Sequence, residues 1–289
     1  MSIPVAGRES AIVLDLKGVT IHDDVSDREL VKGVTLQLKR GGVLGIVGES
    51  GSGKSLTCRA ILGILPKYIE VSGGSITLLD RDISELTPKE WTQLRGTNIS
   101  AVFQDPASYL NPSIRVGKQV QEVLRVKAGL SRKESRKRTI ELFHDVRLND
   151  PEYVFQQYTH ELSGGMLQRV LIAAAIALEP DILIADEATT ALDVTVQAEI
   201  LDLLGELKVR AGLSLIVVSH DLAVVAQLCD EVLVMKDGAV VEQGSTRDIL
   251  YNPQHEYSKL LISEHDLYGL ERFLYVPEDE LEQEQLRYA

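Results

Sequence analysis

The sequence predicts an α/β fold built around a parallel sheet, on three observations. Short runs rich in Val, Ile and Leu alternate with stretches of helical periodicity along most of the 289 residues. Two of the runs, DILIAD (Asp181–Asp186) and LSLIVVS (Leu213–Ser219), are apolar at nearly every interior position, as suits parallel strands covered on both faces. A third, VLGIVG (Val43–Gly48), passes straight into the glycine-rich stretch GESGSGKS, the strand–loop–helix order of a phosphate cradle.

Taken in order, VTLQLKR (Val34–Arg40) and VLGIVG read as strands, and a helix is expected from Lys54 to about Leu62. SITLLD (Ser75–Asp80) and ISAVFQ (Ile99–Gln104) are further strands. From about Pro106 to Tyr158 the chain turns polar, with Lys, Arg, Glu and Gln at helical spacing, which predicts a helical insert. Ser163, Gly164 and Gly165 open another helix that continues to Leu178. After the two apolar strands, EVLVMKDGAVVEQG places Asp237-Gly238 between strand-like runs, the signal of a hairpin. Beyond about Gly269 an acidic tail is expected to be a frayed or isolated helix.

Net charge is −13, which argues against a nucleic-acid surface, since phosphate-backbone binding needs clustered Lys and Arg. From Ser263 onward eight acids face only Arg272 and Arg287, so nearly half of the excess is local. Cys58 and Cys229 lie in no metal-ligand spacing and form no disulfide framework, which points to a reducing compartment. MSIPVAGRES carries neither a basic start nor an apolar core, so no signal peptide is read there. The longest wholly apolar run, Val170 to Leu178, is nine residues; a membrane span needs about 20.

Three stretches carry chemistry. In GESGSGKS the backbone N–H groups converge on a phosphate, and the dipole of the following helix adds partial positive charge. Gly48, Gly51 and Gly53 admit close backbone approach, Lys54 reaches the β/γ oxygens, and the Ser55 hydroxyl ligates Mg²⁺. With Glu49, Ser50, Ser52 and Leu56 they make up the contact set of this loop. ILIADEA then ends a strand in Asp186, suited to hold Mg²⁺ through water, and Glu187, suited to polarise an attacking water. LSGGMLQR (Leu162–Arg169) supplies a second helix N-terminus with a hydroxyl, a second anion site about 110 residues from the first. One nucleotide does not need both from one subunit, so the second is expected to serve a partner's nucleotide.

At this point residues 10 to 262 resemble the ATP-binding-cassette family. GESGSGKS resembles Walker A, ILIADE Walker B, and LSGGM the family signature. Gln104 in VFQDP is similar to the Q-loop, Ala191–Asp193 to the D-loop, and His220 in VVSHD to the switch histidine. The resemblance implies an ABC-type nucleotide-binding domain: a RecA-like P-loop core, an antiparallel β subdomain and a helical subdomain carrying the signature. Its division would be 1–105 and 166–250 for the two parts of the core, 106–165 for the helical subdomain, and 251–289 for a C-terminal extension with the acidic tail. It further implies that two such domains close head to tail around ATP. Lys54, Ser55, Asp186 and Gln104 would then surround phosphate and Mg²⁺, Glu187 would act as base, and His220 would hold the γ-phosphate. Ser163, Gly164, Gly165, Gln168 and Asp193 would serve the shared face.

Within the family, QDPASYLNP, TTALDVTVQAEILDLL and NPQHEYSKLL are similar to the peptide/nickel importer branch. GSGKSLTCRAILGILP, LSGGMLQR and SEHDLYGLE resemble the nickel and metal-chelate subgroup, so the expectation is an importer ATPase for nickel or a metal–metallophore complex. A peptide importer ATPase is the alternative. The implied partners are a second, non-identical ATPase subunit, two transmembrane permeases and an extracellular or periplasmic solute-binding protein. The implied place is the cytoplasmic face of the membrane, held there through the permeases. A soluble cassette ATPase of DNA repair or translation fits poorly, because one cassette is present and only some 58 residues separate Gln104 from Ser163. The chain departs from the family near His22, where an aromatic ring usually meets adenine, and from the branch at Ala188 and Glu256, where proline is usual; it has no cysteine after Cys229 for the iron–sulfur cluster of many peptide-importing members.

Overall fold

The computed structural model describes residues 11–189 and 193–266. Two long strands, β1 (Ile12–Asp23) and β2 (Arg28–Lys39), precede β3 (Val43–Val47), the glycine-rich loop and α1 (Lys54–Ile61). Next come β4 (Ile69–Leu78), β5 (Arg81–Asp82), α2 (Pro88–Thr97) and β6 (Ile99–Val102). The polar stretch folds as α3 (Pro106–Tyr109), α4 (Val116–Lys127), α5 (Arg132–Asp145) and α6 (Pro151–Val154), followed by α7 (Gly164–Ile176). Then β7 (Ile182–Asp186), α8 (Val194–Ala211), β8 (Ser214–Ser219) and α9 (Leu222–Leu228) alternate. The described chain closes with β9 (Glu231–Lys236), β10 (Ala239–Ser245), α10 (Thr246–Tyr251) and α11 (Glu256–Asp266).

Two sheets result. A four-stranded antiparallel sheet has the order β2-β1-β4-β5, and a six-stranded sheet has the order β10-β9-β3-β8-β7-β6. In the larger sheet β9, β3, β8, β7 and β6 are mutually parallel, and β10 pairs antiparallel with β9. Asp237 and Gly238 take φ of 49° and 83°, the left-handed pair that a tight hairpin needs.

The apolar strands are apolar throughout because each faces two cores. Ile182 and Ile184 of β7 and Ile216 and Val218 of β8 join α1 and the antiparallel sheet in one core. Their neighbours Leu183, Ala185, Leu215 and Val217 join α7, α8 and the helical segment in the other. The antiparallel strands are longer than the expected runs from Val34 and Ser75, since β2 begins at Arg28 and β4 at Ile69. Bulges at Gly18, Gly33 and Gly74, with φ of 59°, 63° and 79°, break the alternation that would have revealed them.

The helical segment has its own packing logic. Val116, Val120 and Leu124 on α4 meet Leu142 and Phe143 on α5 in the core that also holds Val170 and Ile172 of α7. Ser131 caps α5 by accepting from Glu134 N, and the Glu134 carboxylate accepts from Ser131 N at 3.0 Å. Among the described residues, no helix is long and apolar enough to cross a membrane. The acidic tail after Gly269 lies outside the described residues. Because Phe143 is fully buried at this junction, Phe143→Ala is expected to lower unfolding free energy by about 3–5 kcal/mol, read from the urea midpoint.

Candidate functional site

The glycine-rich loop leaves the end of β3 at Gly48, whose φ is 149°. A Cβ there would lie 2.1 Å from the Met235 carbonyl oxygen and 2.9 Å from Ser52 Oγ, so only glycine fits. Gly53, with φ of 98°, forms the N-cap of α1. Lys54 is buried, and its Nζ donates to the carbonyls of Gly48 at 2.6 Å and Glu49 at 2.7 Å. Burial lowers the Lys54 pKa from its ordinary value, while the charges of Glu187 and Asp186 oppose that shift. Ser52 Oγ is buried in the loop and finds no hydrogen-bond partner. Leu56 packs its side chain against the core shared with the antiparallel sheet, leaving its backbone at the start of α1.

Two carboxylates stand at the end of β7. Ser55 Oγ donates to Asp186 Oδ1 at 3.0 Å, tying the start of α1 to that strand. Burial, and then the neighbouring charge of Glu187, push the Asp186 carboxyl above its ordinary pKa, although the Ser55 hydroxyl pulls the other way. Glu187 takes a left-handed φ of 50° and donates its N–H to the Val218 carbonyl at 3.0 Å. Such a backbone costs about 1–3 kcal/mol and is retained where the site needs it. His220, one residue past β8, places Nδ1 at 3.8 Å from Glu187 Oε1.

These pieces face one cavity of about 830 Å³. Gly48, Glu49, Ser50, Ser55, Gln104, Asp186, Glu187 and His220 all line it, so the predicted loop, strand-end acids, glutamine and histidine converge. Gly51 is exposed at the loop's crest. Sequence reasoning missed Arg59, Asp105, Ser108 and Leu261 on the same walls, and the Phe103–Tyr109 pair stacked there at 5.0 Å. Spacing alone gave no signal for that pair, since a turn at Asp105 brings the rings together.

The signature residues do not line this cavity. Ser163 caps α7, its Oγ accepting from Met166 N at 3.3 Å, and it stands exposed with Gly164. Asp193 caps α8 in the same way, accepting from Val196 N at 3.0 Å. Gly165 has a packing role, because a Cβ there would come within 2.6 Å of Val196 Cγ1. Arg169 reinforces the contact by donating to the Val146 carbonyl at 2.9 Å and to Glu199 at 2.7 Å. Gln168 departs from expectation: it is 1% exposed, turned into the fold, and its Nε2 has no partner. It does not share the exposed face of Ser163. The rest of the ALD stretch, Ala191 and Leu192, lies outside the described residues. His22 lies within β1, with Nε2 at 3.3 Å from Asp27.

The site fits a magnesium-bound nucleotide. Gly48 lets the loop pack closely on Met235 of β9, the Ser52 hydroxyl is a buried donor without a partner, and the Lys54 ammonium is held against the carbonyls of Gly48 and Glu49, which line the cavity. Ser55, Asp186 and Gln104 supply hydroxyl, carboxylate and amide oxygens, the hard donors that Mg²⁺ prefers. Because the fold raises the Asp186 pKa, its ionisation destabilises the metal-free chain as pH rises from 3.8 through the higher folded value. Asp186→Asn keeps the acceptor for Ser55 and removes that loss. At neutral pH it is expected to raise the metal-free melting temperature while reducing the extra stabilisation by Mg²⁺ with nucleotide, both read by thermal unfolding.

A family model described as ABC transporter matches residues 31–190. The dipeptide transport ATP-binding protein DppD of Bacillus subtilis is 46% identical over 235 residues, covering 81% of this chain and 70% of that protein. The oligopeptide transport ATP-binding protein OppD of Escherichia coli is 43% identical over 259 residues, covering 89% and 77%. The ATP-binding cassette MJ0796, solved as a post-hydrolysis dimer with ADP and Pi, superposes with a TM-score of 0.72 at 31% identity, covering 81% of this chain and 99% of that one. CbiO1 of Clostridium perfringens gives 0.74 at 31% identity, covering 89% and 96%. With its two sheets, its phosphate loop and its strand-end acids, this chain belongs to the ABC transporter family and is an ATP-binding-cassette ATPase.

Proposed function

We propose that this subunit hydrolyses ATP to drive peptide import. The single observation that carries the cargo class is that relatives at 43–46% identity over most of the chain are named for dipeptide and oligopeptide transport. The expectation of nickel or a metal chelate rested on three short stretches. They lie in the loop and first helix, the signature turn and the C-terminal region, none of which need touch a cargo handled outside the cytoplasm. The long matches outweigh them. The partners are two permeases, a solute-binding protein outside the membrane and a second, similar ATPase subunit. The chain sits peripherally at the cytoplasmic face.

The geometry supports the following roles. Lys54 leaves the Gly48 and Glu49 carbonyls for phosphate oxygens, at little cost because the loop N–H groups already face the same ligand. Ser55 and Asp186, with Gln104 across the cavity, would hold Mg²⁺. Bound there, the ion neutralises phosphate charge. Glu187, turned into the site by its left-handed backbone, accepts the proton of the attacking water. His220, beside Glu187, donates to the terminal phosphate. Ser163, Gly164 and Gly165 present free N–H groups and a hydroxyl toward the nucleotide of the second subunit. Asp193 stands beside them and belongs to the same face.

Glu187→Gln is expected to bind ATP at wild-type affinity and to lower turnover by at least 10²-fold, leaving a stable closed dimer on size-exclusion chromatography. Turnover near the wild-type rate in that variant would remove Glu187 as base. For the cargo, the complete transporter is reconstituted with its binding protein, and ATPase stimulation by short peptides is compared with that by nickel or a nickel chelate. Stimulation by peptides alone supports the reading; stimulation by nickel alone restores the metal cargo.

A further inference from the structure

We propose that Tyr257 positions the nucleotide loop, so that α11 belongs to the ATP site although it lies 208 residues away along the chain. The inference rests on the nucleotide reading of the loop and adds a residue that its motif does not contain. Glu49 N donates to Tyr257 Oη at 2.9 Å. The same peptide unit presents the Gly48 carbonyl on its opposite edge, and Lys54 Nζ donates there at 2.6 Å. A peptide is planar, so two groups gripping its opposite edges fix its rotation. Once Lys54 transfers to phosphate, Tyr257 is the group that keeps this peptide oriented. Its contribution therefore falls on nucleotide affinity.

Tyr257 is itself held from several sides. It is 4% exposed, and Lys236 Nζ sits 4.7 Å from its ring centroid. Lys236 ends β9, just before the hairpin turn whose Gly238 N donates to the Ser52 carbonyl of the loop at 3.2 Å. The turn before α11 is anchored by Glu242 of β10, which accepts from Gln254 N at 2.8 Å and His255 N at 3.1 Å. Burial would raise the Glu242 pKa, but those N–H groups hold it below its ordinary value. Tyr257 N donates to His255 Nδ1 at 3.1 Å, which fixes the first turn. Leu261, one turn further along α11, reaches the wall of the nucleotide cavity. The C-terminal helix and the β9–β10 hairpin thus brace the loop together.

The test is Tyr257→Phe in the full chain, which keeps the ring and the Lys236 contact and removes one oxygen. Losing one neutral hydrogen bond predicts a rise of about 3–10-fold in the Kd and KM for MgATP. The kcat should stay within about twofold. The melting temperature without nucleotide should fall by no more than a few degrees, as one lost hydrogen bond allows, while the increase given by a fixed ATP concentration shrinks. Tyr251→Phe, at an exposed tyrosine on α10, is the unchanged control. Wild-type Kd and an undiminished ATP-induced increase in Tyr257→Phe overturn the proposal. So does a variant that melts early without nucleotide yet binds ATP normally, because the hydroxyl then only supports the fold. Lys54→Ala separates the two levels. If it abolishes ATP binding while Tyr257→Phe does nothing, the Tyr257 assignment alone fails; if it leaves binding intact, the reading of the loop fails first.

Discussion

The Ser55 Oγ–Asp186 Oδ1 hydrogen bond, 3.0 Å long, joins the two halves of the site across the sheet. It exists because β3 and β7 flank β8 in one parallel sheet, so their carboxyl ends emerge side by side. The loop after β3 supplies donors, the end of β7 supplies acids, and the end of β8 between them supplies His220. No segment local in sequence could assemble this set. The antiparallel sheet and the helical segment cover the two faces of the parallel sheet and so keep those ends in register.

The site concentrates groups that a stable fold ordinarily avoids. Asp186 is a carboxylate whose charge the fold disfavours, Lys54 is a buried ammonium that its neighbours partly compensate, and Glu187 occupies a left-handed backbone. Ser52 Oγ is buried without a partner. A ligand carrying both negative phosphates and a divalent cation would compensate the Lys54 and Asp186 charges and give the Ser52 hydroxyl a partner. The cost is borne by two extensive cores, in which β3, β7 and β8 are buried at every position.

Much of this was legible in the sequence where the constraint is local. The apolar runs gave the central strands because burial on both faces leaves no polar position, and Asp237-Gly238 gave its hairpin because few other pairs accept that turn. Gly48, Glu49, Ser50 and Ser55 of the loop, the strand-end acids, Gln104 and His220, all read from the sequence, line one cavity. What stayed hidden depends on contacts between distant segments. The first halves of β2 and β4 were masked by bulges. Gly165 was read as a phosphate contact, but its closeness to Val196 also gives it a packing reason that only the fold shows. Gln168 shares a helix turn with exposed residues, yet it points inward. Tyr257 sat inside a motif that marks the branch, with nothing to say that its hydroxyl meets the loop. Cargo was the least legible property: the three short stretches read for nickel are outweighed by long matches to relatives named for dipeptide and oligopeptide transport.

The central claim is that each nucleotide is shared, seated on the loop of one subunit and closed by the Ser163 turn of another. Ser163 and Asp193 cap adjacent helices, are exposed and do not line the cavity of their own chain. The most direct measurement is a cryo-EM map of the Glu187→Gln assembly with its permeases and MgATP. The account predicts Ser163 Oγ within hydrogen-bond distance of a triphosphate seated on the partner's loop. A map in which that turn faces solvent, remote from every triphosphate, would contradict it.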